Sequence, residues 1–251
     1  TTEIYTLSLH DALPICRGAT PDDLRDALAA AWAQQAPAAV AVKSQHAYER
    51  TLAWAPRTDA EVAPLIAAHA AGKPLDAGQR MVLGDWCLAR VAELCATHNL
   101  PLKLHTGHLA GNGQMQLEWV RPANLSPLLA QHPGTRFVLM HAGWPFSDEL
   151  VSLAKHYANV WGDLCWAWAM APSRTARLVR DWLHSAPANK LLVFGGDCGR
   201  PTQTVGFARQ ARRWLGRALA AEVDAGDLSE PAAIELAARL MSGNAAAVFG
   251  T

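Results

Sequence analysis

The chain has 251 residues, 51% hydrophobic and 18% charged, and its 22 basic and 22 acidic side chains cancel. This is the make-up of a globular protein with one large domain. It excludes a disordered polyelectrolyte, and the absence of a basic excess argues against a nucleic-acid or membrane-surface binder. No apolar run approaches the roughly 20 residues of a membrane span. The expected partner is a small-molecule substrate, with no nucleic acid and no membrane; a homo-oligomer is left open.

The first fifteen residues, TTEIYTLSLHDALPI, show no clear hydrophobic period. They resemble, residue for residue, a translated sequencing-library adapter. Thr1–Ile15 are therefore read as an artefact and excluded from fold reasoning, so His10 and Asp11 receive no functional weight. Residues 16–251 are taken as the folded domain, with the native N-terminus expected to be missing. The five cysteines, Cys16, Cys87, Cys95, Cys165 and Cys198, are scattered, odd in number and contain no CxxC. That usage points to a reducing, cytoplasmic setting rather than a disulfide framework.

From Pro21 to Gln35 the pattern is helical, with Thr20 as N-cap and Pro21 at the first position. PAAVAVKS is a short buried strand ending near Lys43. Two helical stretches follow, TDAEVAPLIAAHAAG and LDAGQRMVLGDWCLARVAELCATHN, with Asp59 and Asp76 as caps and Gly72 as a stop. The rhythm then becomes regular. Strand LPLKLH ends at His105 and runs into the polar loop TGHLAGNGQ and a helix near NLSPLLAQHPG. Strand TRFVLMH ends at His141, followed by AGWPF and a helix from Ser147. A strand at Val160–Leu164, the helix SRTARLVRDWLHSAP, a strand NKLLVFGGD ending at Asp197 and two further helices complete the chain. Strands alternating with helices of this length form βαβ units and a parallel sheet. Continuous apolar strands such as FVLM and LLVF suit a sheet covered on both faces. The predicted fold is α/β, a (β/α)8 TIM-barrel that is incomplete, since only about five strands are readable.

Three strands end in a residue able to bind metal or move protons: His105, His141 and Asp197. In a parallel barrel such ends share the face that carries active sites. One histidine after a strand is weak evidence; three such residues at one face point to a site. Neutral imidazoles with a carboxylate suit zinc or a similar divalent ion, which lowers the pKa of a bound water to about 7.

The order LKLH, HAGWP, GGD and a terminal GNAAAVFG resembles the amidohydrolase superfamily, in the amidohydrolase-related (family 2) branch of metal-dependent hydrolases and decarboxylases. The likeness covers roughly residues 38–250. It implies a distorted barrel of the amidohydrolase type and a divalent cofactor, zinc first. His105 is implied as a metal ligand, Asp197 as a ligand that also takes a proton from the attacking water, and His141 as the acid/base or polarising group beside the metal. One feature departs from the pattern. The family's first strand carries His-x-His or Glu-x-His, and neither stands in an early strand here. The resemblance thus implies that two ligands are missing, that the parent is an enzyme, and that this fragment is inactive and poorly soluble or self-associating.

Around that core, Lys43 can face the pocket and pair with a substrate carboxylate, and Arg50 can grip a carboxylate bidentately. Each is equally readable as an exposed strand-end lysine or a surface ion pair. His108 in the loop is a candidate substrate contact, Trp144 a pocket wall, Arg200 an anion holder; Asp163 and Trp166 are similar. His46 reads as solvated, and His69, His98, His132, His156 and His184 as structural or exposed. Three functions compete: a hydrolase of a small, carboxylated substrate, a nonoxidative decarboxylase on the same scaffold, and a barrel that has lost its metal.

Overall fold

The computed structural model describes residues 20–250 except Asn112 and Gln114; the adapter-like stretch, with His10 and Asp11, lies outside these residues. Helix α1 (Pro21–Gln35) opens with a reciprocal capping box, Thr20 with Asp23. Strand β1 (Val42–Ser44) leads through a 3-10 turn at His46–Tyr48 to α2 (Asp59–Ala70) and α3 (Ala77–Thr97). The cap of α2 is Thr58, boxed with Glu61, and not Asp59 as expected; Asp59 instead takes Arg25 and the Trp86 indole N–H. Asp76 caps α3 as expected, and Gly72 ends α2 in the left-handed region at φ +72°. Then come β2 (Leu102–Leu104), α4 (Ser126–Gln131), β3 (Phe137–Leu139), α5 (Ser147–His156) and β4 (Val160–Asp163). The short α6 (Ala167–Met170), α7 (Pro172–Ser185) and β5 (Leu191–Leu192) follow. The chain closes with α8 (Pro201–Ala225), α9 (Glu230–Ala238), a π turn at Arg239–Gly243 and α10 (Asn244–Phe249).

The five strands form one sheet in chain order, β1-β2-β3-β4-β5, every neighbour parallel. This is the arrangement of a barrel segment, in which each crossover helix returns the chain to the next strand. Alternation sorts the side chains. Leu102, Leu104, Phe137, Leu139 and Val160 face the helices and join the main core with Trp32, Leu88, Leu128 and Trp182. The other face carries the register row Lys43, Lys103, Val138 and Trp161, with Asp163 beside Leu192 one step on. Val138 and Leu192 are covered there by Val248 of α10, with Ala245 and Phe249 packed alongside. Arg136 donates to the Val248 carbonyl at 2.7 Å, which ties α10 to the N-terminal end of β3. The opposite ends of the strands are left to the polar residues.

Candidate active site at the strand ends

Backbone geometry marks the site first. His141, Ala142 and Gly143 sit consecutively at φ +62°, +58° and +58°, Trp166 at +63° and Asp197 at +43°. Non-glycine residues rarely occupy this region, and such strain gathers where the surroundings over-determine it. The surroundings are close here. A Cβ on Gly107 would sit 2.4 Å from the Trp144 carbonyl oxygen, and one on Gly195 would sit 2.5 Å from the Cys165 Cβ. Thr106 Oγ1 donates to the Met140 carbonyl at 2.6 Å, and the His108 N–H to Trp144 O at 2.8 Å, fastening the loops after β2 and β3 together.

His105 and His141 are 2% and 0% exposed, with ring centroids 4.3 Å apart. Each imidazole has one nitrogen against a backbone carbonyl: His105 Nε2 at 3.1 Å from His108 O, and His141 Nδ1 at 3.1 Å from Cys165 O. A carbonyl can only accept, so those nitrogens carry the protons. The remaining nitrogens, His105 Nδ1 and His141 Nε2, are then lone pairs, and they face each other at 3.0 Å. Burial, followed by the charge of His141, pushes the His105 pKa down to about 2, and burial also lowers that of His141. A charged imidazolium is thus disfavoured at either ring, and with both ring protons held by the backbone carbonyls the two remaining nitrogens face each other. Asp197 Oδ2 stands 3.6 Å from His141 Nε2, and Asp197 Oδ1 stands 3.4 Å from Lys43 Nζ.

This donor set fits a divalent cation in kind. Metal–ligand bonds of about 2.0–2.2 Å put neighbouring donors roughly 3 Å apart, close to the 3.0 Å between the rings. Among the described residues only His184, Glu222 and Asp227 bring three ligand atoms all within 4.8 Å of one another.

The structure brings His105, His141, Asp197 and Lys43 together. His108 also reaches the site: its ring lies 5.2 Å from Trp144 and 6.1 Å from Trp166, and its buried Nδ1 has no partner. Trp144 thus forms a wall. Arg50 borders a cavity between the 45–51 loop and α2–α3, but its guanidinium is engaged by the protein itself. It donates to Thr51 O, Met81 O, Ala53 O and the buried Asp85 carboxylate, which commits four of its five N–H donors to holding the 50s loop on α3. Arg200 is exposed at the N-cap of α8, and no described contact ties its guanidinium to the site.

Sequence reading missed several members. His46 is not solvated: Ser44 Oγ meets its Nδ1 at 2.8 Å, its buried Nε2 has no partner, and burial takes its pKa to about 3. Tyr48 packs edge-on against His105 with ring centroids 4.8 Å apart. The signal available was position, since both follow the β1 end closely. A cavity of about 660 Å³ lies beyond them, between the 45–51 loop and α2–α3, with Met81, Leu88 and Trp119 in its wall.

A family model described as amidohydrolase matches residues 4–251. The chain belongs to the amidohydrolase family. That match begins inside the adapter-like stretch. Protein fluG of Emericella nidulans is 31% identical over 221 residues, which is 83% of this chain and 25% of that protein. A Lactobacillus casei protein assigned as a metal-dependent hydrolase superposes with TM-score 0.79 at 22% identity, over 98% of this chain and 65% of that one. The uronate isomerase of Thermotoga maritima gives TM-score 0.80 at 15% identity, over 92% of this chain and 54% of that one. The chain therefore spans a quarter of fluG and less than two thirds of each of these two structures. At such identities the structures establish the fold alone. Together with the five parallel strands among the described residues, which fit an incomplete barrel, they make it an α/β, TIM-barrel-type fold. Among the described residues no helix is long and apolar enough to cross a membrane.

Proposed function

We propose that this chain carries part of the active site of a metal-dependent amidohydrolase acting on a small, carboxylated substrate. The observation that carries the reading is the buried pair of ring nitrogens, His105 Nδ1 and His141 Nε2, 3.0 Å apart, with the opposite nitrogen of each ring against a backbone carbonyl. Those two nitrogens, with Asp197, would hold the ion, zinc first. Bound there, a divalent cation supplies Lewis acidity and a water acidified toward neutrality. Asp197 is the reachable member, its side chain 34% exposed, and acts as the acceptor of a proton from the attacking water. Lys43, 3.4 Å from Asp197 Oδ1, places that carboxylate and adds positive charge for a substrate carboxylate. Trp144 and His108 exclude water on one side, while the apolar cavity past Tyr48 offers room for the rest of a small molecule. A cytoplasmic setting belongs to the same reading, from five scattered cysteines with no CxxC. With three described donors, turnover by this chain itself is expected to be low, so binding is the sounder test. Chelator-stripped protein is dialysed against zinc and its metal content measured. One equivalent, lost in His105→Ala and in His141→Ala, supports the reading; no bound zinc in the unsubstituted chain sinks it. Loss of carboxylate from an aromatic acid, without hydrolysis of amides or esters, would move the assignment to a decarboxylase.

A further inference from the structure

The inner face of the sheet carries two lysines where only apolar residues would be expected. Lys43 and Lys103 are direct register partners on β1 and β2, and like charges so placed repel. Each is answered by a carboxylate: Lys43 by Asp197, within the site, and Lys103 by Asp163, beneath it, at 2.9 Å. The second pair is buried, with side chains 14% and 4% exposed. A buried pair that could be replaced by apolar residues gives little net stability, so its presence asks for another role.

The other oxygen of Asp163 supplies one. Asp163 Oδ1 accepts the Cys165 N–H at 2.8 Å. The carbonyl of that same residue takes the His141 Nδ1 proton, with the Cys165 thiol 3.4 Å from the same nitrogen as a weak second partner. Next along the chain, Trp166 is left-handed and its N–H is held by Gly195 O at 3.1 Å. The Cys165 peptide is thus clamped from both sides, and its carbonyl has one direction in which to point.

We propose that Asp163 is the positioning residue for His141, with Lys103 as the counter-charge that a buried carboxylate at this place requires. Lys103 neutralises the Asp163 carboxylate, Asp163 fixes the Cys165 peptide, and the Cys165 carbonyl holds the proton on His141 Nδ1, so that Nε2 presents its lone pair to His105 and Asp197. Neither residue touches the reacting groups. The inference rests on His105 and His141 as metal holders, since outer partners that orient a ligand imidazole commonly change metal affinity about 10- to 100-fold.

Two double variants separate positioning from folding. Lys103→Met with Asp163→Leu replaces the pair by apolar residues and removes the acceptor for Cys165 N–H. Lys103→Met with Asp163→Asn also removes both charges but keeps an acceptor oxygen. Zinc affinity is measured by chelator competition, Tm by calorimetry, and the His141 tautomer by long-range proton–nitrogen NMR. The Met/Leu protein is expected to fold with a Tm near that of the unsubstituted chain, to bind zinc at least about tenfold more weakly, and to show His141 no longer confined to Nδ1–H. The Met/Asn protein is expected to recover affinity and tautomer. Full affinity and an unchanged His141 tautomer in Met/Leu overturn the proposal, as does failure of Met/Asn to recover both. If the unsubstituted chain binds no zinc, the metal reading has failed, and the tautomer measurement alone decides on the pair.

Discussion

Two clusters of histidine and carboxylate stand in this molecule, and they differ in where their protons are. His184, Glu222 and Asp227 meet where the end of α7 faces the end of α8, their ligand atoms all within 4.8 Å. By proximity alone this is the better metal site. Yet Glu222, 1% exposed, already accepts from Arg180, and the His184 Nε2 proton points at its second oxygen at 2.5 Å. Burial would raise the Glu222 pKa, but those two hydrogen bonds outweigh it and bring it below the ordinary range. The cluster is satisfied without a cation and works as a lock between helices. The strand-end pair is less compact, but its N–H groups are spent on backbone carbonyls and its lone pairs are left facing. Proton placement, more than distance, separates a ligand set from a salt-bridge network.

The largest expected contrast between the clusters is in zinc binding. His105→Ala or His141→Ala should weaken it by two orders of magnitude or more, since each deletes a ligand, while His184→Ala should leave it unchanged in chelator competition. Zinc lost through His184→Ala and kept through His141→Ala would reverse the comparison. Backbone close to the first cluster should be nearly as sensitive. Gly107→Ala puts a Cβ 2.4 Å from a carbonyl oxygen at φ +70°, so urea unfolding should show a loss on the order of 2–4 kcal/mol.

The next contrast is in pH. His46, His105 and His141 have folded-state pKa values below the unfolded 6.5, at about 3 and about 2 for the first two. Below pH 6.5 the unfolded chain binds more protons, so stability of the metal-free protein falls as pH falls from about 6.5 toward 3. The slope reaches roughly 1.4 kcal/mol per pH unit for each histidine. Thermal melts from pH 7.5 to 5 should show this decline in the unsubstituted chain and a shallower one in His46→Phe. Glu222→Gln should cost on the order of 1–3 kcal/mol by leaving Arg180 without its anion, with zinc binding untouched. The smallest effect belongs to a helix cap: Thr58→Ala should cost about 1 kcal/mol.

What could be read from the sequence follows from how local the signal is. The helices were legible because caps and breakers are neighbours in the chain: Thr20, Asp76 and Gly72 act where they stand. Asp59 was misplaced because Thr58 offered the same chemistry one residue earlier. The strand order followed from alternation of strands and helices. His105, His141 and Asp197 were legible as chain positions after apolar runs. Arg50 was not, because its carboxylate partner, Asp85, is 35 residues away on α3. His46 was missed because its burial depends on packing across β1, α3 and the loops. The Lys103–Asp163 pair was invisible for the same reason, bridging 60 residues.

The most direct test of the central claim is the protonation of the two strand-end histidines in metal-free protein near neutral pH, read from long-range proton–nitrogen NMR correlations. The account predicts His105 protonated at Nε2 alone and His141 at Nδ1 alone, with His105 Nδ1 and His141 Nε2 both shifting when zinc is added. A proton found on His105 Nδ1 or His141 Nε2, shared across the 3.0 Å between them, would make the pair an ordinary hydrogen bond and contradict its reading as a ligand set.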